Sequence, residues 1–188
     1  MRRLMVGMAA RLRRHLVAPA FWETDGLPAR LLAPVGWLVG LRAAARLRRP
    51  PEKRPAMPVI AVGNFTVGGA GKTPTTLALV RLDRHAGFSP AVMTRGYGGR
   101  LAGPLRVDPT RHTAADGGDE ALLHAAEVPT IVARDRAAGL DLISPGDFDL
   151  LVLDDGFQNP ALAKDLAIVV VDRGQAIGNG RVMPAGPL

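Results

Sequence analysis

The stretch Met57–Thr76, MPVIAVGNFTVGGAGKTPTT, constrains the fold of this chain more than any other. It reads as a strand, a glycine-rich turn and the start of a helix. Val59, Ile60, Ala61 and Val62 form a short, β-prone apolar run. Gly68, Gly69 and Gly71 follow, then Lys72 and Thr73. The Gly-Lys-Thr ending is that of a phosphate-binding P-loop, and each residue type has a chemical reason to be there. Glycines let backbone N–H groups curl around phosphate oxygens with no Cβ in the way. A helix N-terminus adds unpaired donors and the positive end of its dipole. The lysine reaches the terminal phosphates, and the Thr73 hydroxyl can ligate Mg²⁺. Pro74 suits the first helical turn, where its missing N–H costs nothing. The strict spacing GxxxxGK(S/T) asks for Gly at position 66, where this chain has Thr66. A glycine-rich hairpin before a chance Gly-Lys-Thr is the alternative. The strand before and the helix after argue against it. A nucleotide loop is therefore expected over Thr66, Val67, Gly68, Gly69, Ala70, Gly71, Lys72 and Thr73.

The charge is unevenly placed. Residues 1–54 hold 12 Lys+Arg against 3 Asp+Glu, and residues 55–188 hold 12 against 14. The overall net charge of +7 thus belongs to the N-terminal segment. This predicts a division at residue 54: a basic, apolar segment and linker (1–54), then a nucleotide-binding domain (55–188). In the segment, the uncharged run Leu31–Leu41 is 11 residues long, against the roughly 20 needed to span a bilayer. It carries Trp37 and is followed by Arg42, Arg46, Arg48 and Arg49. The pattern predicts a basic amphipathic helix lying in a membrane interface, with an anionic membrane surface as its partner. Packing of that helix on its own domain is the competing reading. The apolar patch Leu4–Ala10 is too short and too soon interrupted by arginines for a cleaved signal peptide. Aromatics grouped in an apolar stretch favour lipid over nucleic acid, so no nucleic-acid partner is expected. With no cysteine, disulfides and thiolate metal sites are excluded.

Beyond the loop, strand and helix alternate. Helices are expected over Thr75–His85, Ala121–Ala126 and Arg134–Leu142. Further strands are expected over Pro90–Thr94, Pro129–Ala133, Asp149–Leu153 and Leu166–Asp172. The last of these reads as a fully buried parallel strand. The predicted class is α/β, a P-loop NTPase-like parallel sheet with helices on both faces. Asp154 and Asp155 end an apolar strand, the arrangement in which a carboxylate holds nucleotide-bound Mg²⁺. Arg95-Gly-Tyr-Gly-Gly-Arg100 lies at a strand's C-terminal end, where it is either a ligand loop or a plain connection. Asp116 and Asp119 precede a helix, and either suits an N-cap.

Several motifs now stand in one order. They are Asn64-Phe-Thr-Val-Gly-Gly-Ala-Gly-Lys-Thr-Pro74, Arg95-Gly-Tyr-Gly98, Gly118-Asp-Glu120, Asp154-Asp-Gly-Phe-Gln158, and Gly178-Asn-Gly-Arg181 through Pro184-Ala-Gly-Pro-Leu188. With Ala18-Pro-Ala-Phe-Trp22, they resemble the tetraacyldisaccharide 4'-kinase family over about residues 18–188. Thr at position 66 is usual there. The resemblance implies a kinase on the cytoplasmic face of the bacterial inner membrane, peripheral or monotopic. Such a kinase uses ATP and Mg²⁺ to phosphorylate the 4'-hydroxyl of an acylated glucosamine disaccharide 1-phosphate. It implies catalytic roles for Lys72 and for Asp119, the latter as base, and metal-binding roles for Thr73, Asp154 and Asp155. Two departures stand out. Asn159 replaces a usual His. The sequence also stops at Leu188, before the family's second domain and the His that pairs with the Gly-Asp-Glu aspartate. The resemblance thus leads one to expect the N-terminal half of a kinase, with little turnover by itself. A non-catalytic nucleotide-binding remnant at the membrane is the alternative.

Overall fold

Six short strands carry the core: β1 (Val59–Gly63), β2 (Pro90–Thr94), β3 (Leu105–Arg106), β4 (Thr130–Val132), β5 (Leu150–Asp154) and β6 (Leu166–Val169). They lie in a computed structural model that describes residues 18–174 and 176–188. The sheet order is β3-β4-β2-β5-β1-β6. Every neighbouring pair is parallel except β3 with β4. The sheet is therefore mixed at one edge, where an all-parallel sheet was expected. β3 escapes sequence reading because two residues are too few to show a period. The fold is α/β and P-loop NTPase-like.

Side chains alternate across this sheet with the period of a strand. Ala61, Met93, Ile131, Leu151 and Leu153 pack on one face. Val62, Val92 and Val152 pack on the other, with Val80 of the helix Lys72–His85. Both faces are thus covered, which is what lets β2 and β5 be buried throughout. β6 departs from expectation. It ends at Val169 instead of Asp172, and Leu166 is 53% exposed. It is an edge strand paired with β1 alone.

The described residues fall into two units: residues 18–39 with 177–188, and residues 40–174 with 176. The second holds the sheet and helices α2 (Lys72–His85), α3 (Ala114–Gly117), α4 (Asp119–Ala125) and α5 (Arg136–Gly139). α2 starts three residues earlier than expected, so Lys72 and Thr73 belong to its first turn. The helix expected over 134–142 is α5 followed by a 3-10 turn, Leu140–Leu142. Its N-cap is Asp135, whose carboxylate accepts the N–H groups of Ala137 and Ala138. The proline-marked linker is anchored as well. Lys53 bridges to Leu162 and donates from Nζ to Ala137 O at 3.0 Å and to Asp141 Oδ1 at 2.8 Å.

In the first unit, Asn179 is the clasp. Its Nδ2 donates to Phe21 O, Thr24 O and Ala185 O at 2.9–3.2 Å. Its backbone N–H donates to Trp22 O, and the Trp22 indole N–H donates to Pro184 O. Arg181 Nε pairs with Asp25 at 2.6 Å. The segment Gly178–Leu188 is thus folded back onto the Phe21–Asp25 turn. Helix α1 (Leu27–Leu47), of which residues 27–39 belong to this unit, buries Ala29 and Gly36, where a Cβ on Gly36 would come 2.5 Å from Val182 O. Its large side chains face the other way. Leu27, Leu31, Val35, Trp37, Leu38 and Leu41 are each 49–71% exposed. A water-facing helix normally buries such a stripe. Here the small side is covered and the leucine side is bare, so the helix is apolar rather than divided into polar and apolar faces. Among the described residues no helix is long and apolar enough to cross a membrane. The expectation about Leu4–Ala10 lies outside the described residues.

Candidate active site

The C-terminal ends of β1, β2 and β5 carry the loops that sequence reading singled out, and in such sheets this is the edge where ligands bind. The glycine-rich loop leaves β1 at Asn64 and enters α2 at Gly71, whose φ of 84° suits a residue without a Cβ. A Cβ on Gly69 or Gly71 would meet nothing within 4 Å, so the loop faces open space. Backbone N–H groups at the start of α2 have no intrahelical acceptor and point into that space.

Lys72 is held over the loop from two sides. Its Nζ donates to Asn64 Oδ1 at 3.0 Å and pairs with Asp155 Oδ1 at 3.6 Å. Asn64 in turn donates from Nδ2 to Thr66 O at 2.6 Å, bracing the loop from within. Asn64 is buried, and sequence reading gave it no role. Its one signal was its position as the first residue after a strand. The Phe65 and Phe157 rings meet edge to face at 5.2 Å and join this loop to the Asp154–Gln158 loop.

The two adjacent carboxylates diverge. Asp155 has a φ of 53° and a side chain 59% exposed, beside Lys72. Asp154 is 1% exposed. Thr76 Oγ1 donates to its Oδ1 at 3.2 Å, and His124 Nε2 lies 3.0 Å from its Oδ2. Neither Thr76 nor His124 was foreseen as a site residue. Arg136, 2% exposed, donates from Nη2 to Asp154 O at 2.8 Å and Asp155 O at 3.0 Å. Burial pulls its guanidinium down to about 10, against the opposing pull of Asp155 and Asp154. Lys164 donates to Phe157 O at 2.9 Å, and burial lowers its pKa. Two cations therefore fix the backbone of the acidic loop. Asn159, where a His was expected, accepts the Ala161 N–H at 2.8 Å in a local turn.

Asp116 and Asp119 take different roles. Asp116 closes a capping box with Thr113 and pairs with Arg100 at 2.5 Å. The Thr113 backbone N–H, then its hydroxyl, then Arg100 hold the Asp116 carboxyl at about 2. A folded pKa below the unfolded value of about 3.9 stabilises the fold above that pH, and the contribution is lost as pH falls toward 2. The stability gap between wild type and Asp116→Asn should therefore narrow from pH 5 to pH 2.5 in urea melts. A constant gap would show that ionised Asp116 adds nothing. Asp119 is instead the first residue of α4 after Gly118, exposed, and makes no hydrogen bond or ion pair among the described residues. Gly118, at φ 92°, lies against Tyr97 O, where a Cβ would clash, so the Arg95–Arg100 loop is pressed onto the start of α4.

Mg²⁺ is a group these residues fit. No cluster of three or more His, Asp or Glu exists among the described residues. Mg²⁺ does not need one, since it keeps waters and binds through one or two carboxylates plus phosphate oxygens. Asp155 beside Lys72, with Thr73 in the first turn of α2, is such a donor set.

Fold and loop together define a P-loop nucleotide-binding α/β protein. Comparison with known proteins narrows this. The family model for LpxK, tetraacyldisaccharide-1-P 4'-kinase, matches residues 28–188, and the chain belongs to this family. A tetraacyldisaccharide 4'-kinase from Methylobacterium nodulans is 57% identical over 173 residues, covering 91% of this chain and 51% of the relative. One from Nitrobacter hamburgensis is 56% identical over 171 residues, covering 90% and 51%. The chain spans about half the length of the curated relatives it matches. A crystal structure of LpxK from Aquifex aeolicus, described as in complex with ATP, aligns with a TM-score of 0.69 at 28% identity. It covers 85% of this chain and 53% of that one.

Proposed function

We propose that this chain provides the nucleotide-binding half of a kinase that phosphorylates the 4'-hydroxyl of tetraacyldisaccharide 1-phosphate. The observation that carries this reading is Lys72, held between Asn64 and Asp155 above an open glycine loop. In the proposed reaction the acceptor 4'-oxygen forms a bond to the γ-phosphorus. The bond to the β-phosphate oxygen breaks and ADP departs. The hydroxyl proton passes to Asp119, whose exposed carboxylate has no competing partner among the described residues. The loop Thr66–Thr73 would cradle the phosphates, and Lys72 would neutralise the charge that builds on the transferred group. Asp155, Asp154 and the Thr73 hydroxyl would hold Mg²⁺, which would offset the charge of the phosphates. Titration of the chain with MgATP tests the nucleotide half of this reading, and no binding at millimolar nucleotide would refute it.

We also propose that residues 1–54 face the cytoplasmic side of the inner membrane while residues 55–188 hold the nucleotide. The bare leucine side of α1, followed by Arg42, Arg46, Arg48 and Arg49, supports this. Burying a leucine side chain contributes about 1.5–3 kcal/mol. The double change Leu31→Glu, Leu38→Glu should therefore lower binding to anionic vesicles by at least about tenfold. Added salt should weaken wild-type binding in part, since screening shortens charge reach to about 8 Å at physiological ionic strength. Unchanged flotation of the double variant would refute the assignment.

A further inference from the structure

Three walls of the site meet at the buried carboxylate of Asp154. Thr76, on the phosphate-loop helix α2, donates to one oxygen. His124, on α4, lies 3.0 Å from the other. A carboxylate only accepts, so the imidazole carries its proton on Nε2 in this bond. α4 is also the helix that begins at Asp119. One contact therefore ties the acidic helix to the acidic strand end.

That contact is an odd choice for a core position. His124 is 0% exposed, and its Nδ1 has no hydrogen-bond partner among the described residues. Its helix packs through Ala121 onto Val107 and Val132, an apolar surface on which a leucine would be at ease. Leaving a buried ring nitrogen unpaired is unfavourable. The Nε2–H bond to Asp154 is the one thing the imidazole supplies there that a leucine does not. α4 has only seven residues, and Leu123 on it is 55% exposed, so few contacts fix the helix.

We propose that His124 is a positioning residue of the nucleotide site. Its Nε2–H fixes the rotamer of Asp154 and, through the shared bond, sets the start of α4 against the Asp154-Asp155 strand end. This rests on the reading of those two aspartates as the Mg²⁺-nucleotide carboxylates. Lys72 is bonded to Asn64 and Asp155, so no direct bond joins the imidazole to the glycine-rich loop. Loss of the His124 bond should act on the metal-dependent part of nucleotide affinity and spare the rest.

The test is calorimetric titration of the 188-residue chain with ATP, in Mg²⁺ and in EDTA, for wild type, His124→Leu and His124→Gln. Residues that orient metal ligands from behind commonly contribute 10- to 100-fold to metal affinity. His124→Leu should therefore weaken MgATP binding by about tenfold or more while ATP in EDTA changes less than about twofold. His124→Gln, whose amide N–H can reach the same carboxylate oxygen, should recover most of the loss. A second measurement reads the wild type directly. The imidazole ¹⁵N spectrum of the wild type should show one Nε2-bound proton slow to exchange with water. That signal should shift with MgATP and stay put with ATP in EDTA. Among the four histidines it is identified by its absence from His124→Gln. An unchanged Mg²⁺ effect in His124→Leu, equal losses in Leu and Gln variants, or a signal indifferent to MgATP would each overturn the proposal. Wild-type chain that fails to bind MgATP would instead overturn the nucleotide reading, and this proposal with it.

Discussion

Lys72→Ala is expected to remove most of the MgATP affinity. A hydrogen bond to a charged group contributes about 1.5–3 kcal/mol, or roughly 10- to 100-fold in affinity. The surroundings of Lys72 push the loss toward the upper end. Asp155 lies 3.6 Å from its ammonium, so removing the cation also takes away the partner that holds this carboxylate beside the loop. Asn64 loses its acceptor role at the same time, and with it part of the brace under the loop. Displacement of a fluorescent nucleotide measures the effect. Wild-type affinity in Lys72→Ala would remove the basis for placing phosphates on this loop.

Asp119→Ala should have the largest effect on turnover. A positioned general base contributes about 10²–10⁴-fold. Asp119 is exposed on the first turn of α4, away from the bonds that hold Lys72, so nucleotide affinity should be nearly unchanged. The suitable protein is residues 1–188 joined to the second half of a relative, since the chain spans about half of those relatives. Transfer of labelled γ-phosphate to the acylated disaccharide reports kcat, and nucleotide binding is measured alongside. A loss below tenfold would place the base elsewhere. A matching loss of ATP affinity would show that Asp119 acts on nucleotide instead of acceptor.

The parts of this molecule that a sequence shows best are those built from local chemistry. The Gly-Lys-Thr ending marked the strand-to-helix turn because a glycine-rich run there must leave the strand and open a helix. The five apolar runs located five of the six strands, since burial on both faces demands such runs. What stayed hidden depends on contacts between distant segments. Asn64 and Lys72 are eight residues apart, yet their pairing exists only because the loop turns back on itself. His124 and Thr76 are 30 and 78 residues from Asp154, and nothing in their own neighbourhoods marks them. Arg136 lies in the helix expected over 134–142 with nothing to mark it, and it is a buried cation bonded to the backbone of the acidic loop. The asymmetry of α1 was half visible. Its apolar run was clear, but which side faces inward was set by Gly36 meeting Val182 O, a residue in the last stretch of the chain.

That last contact has a consequence in time. The small side of α1 is closed by the segment that follows residue 176, about 130 residues after the helix itself has been made. At about 5–20 residues per second, a ribosome takes on the order of ten seconds to cover that distance. Throughout the interval all sheet-forming strands emerge, while the segment that closes the small side of α1 has yet to be made. The helix thus meets its surroundings before it meets its clasp. The leucine side of α1 is thus available to a partner for several seconds before the closing segment exists to cover the small side.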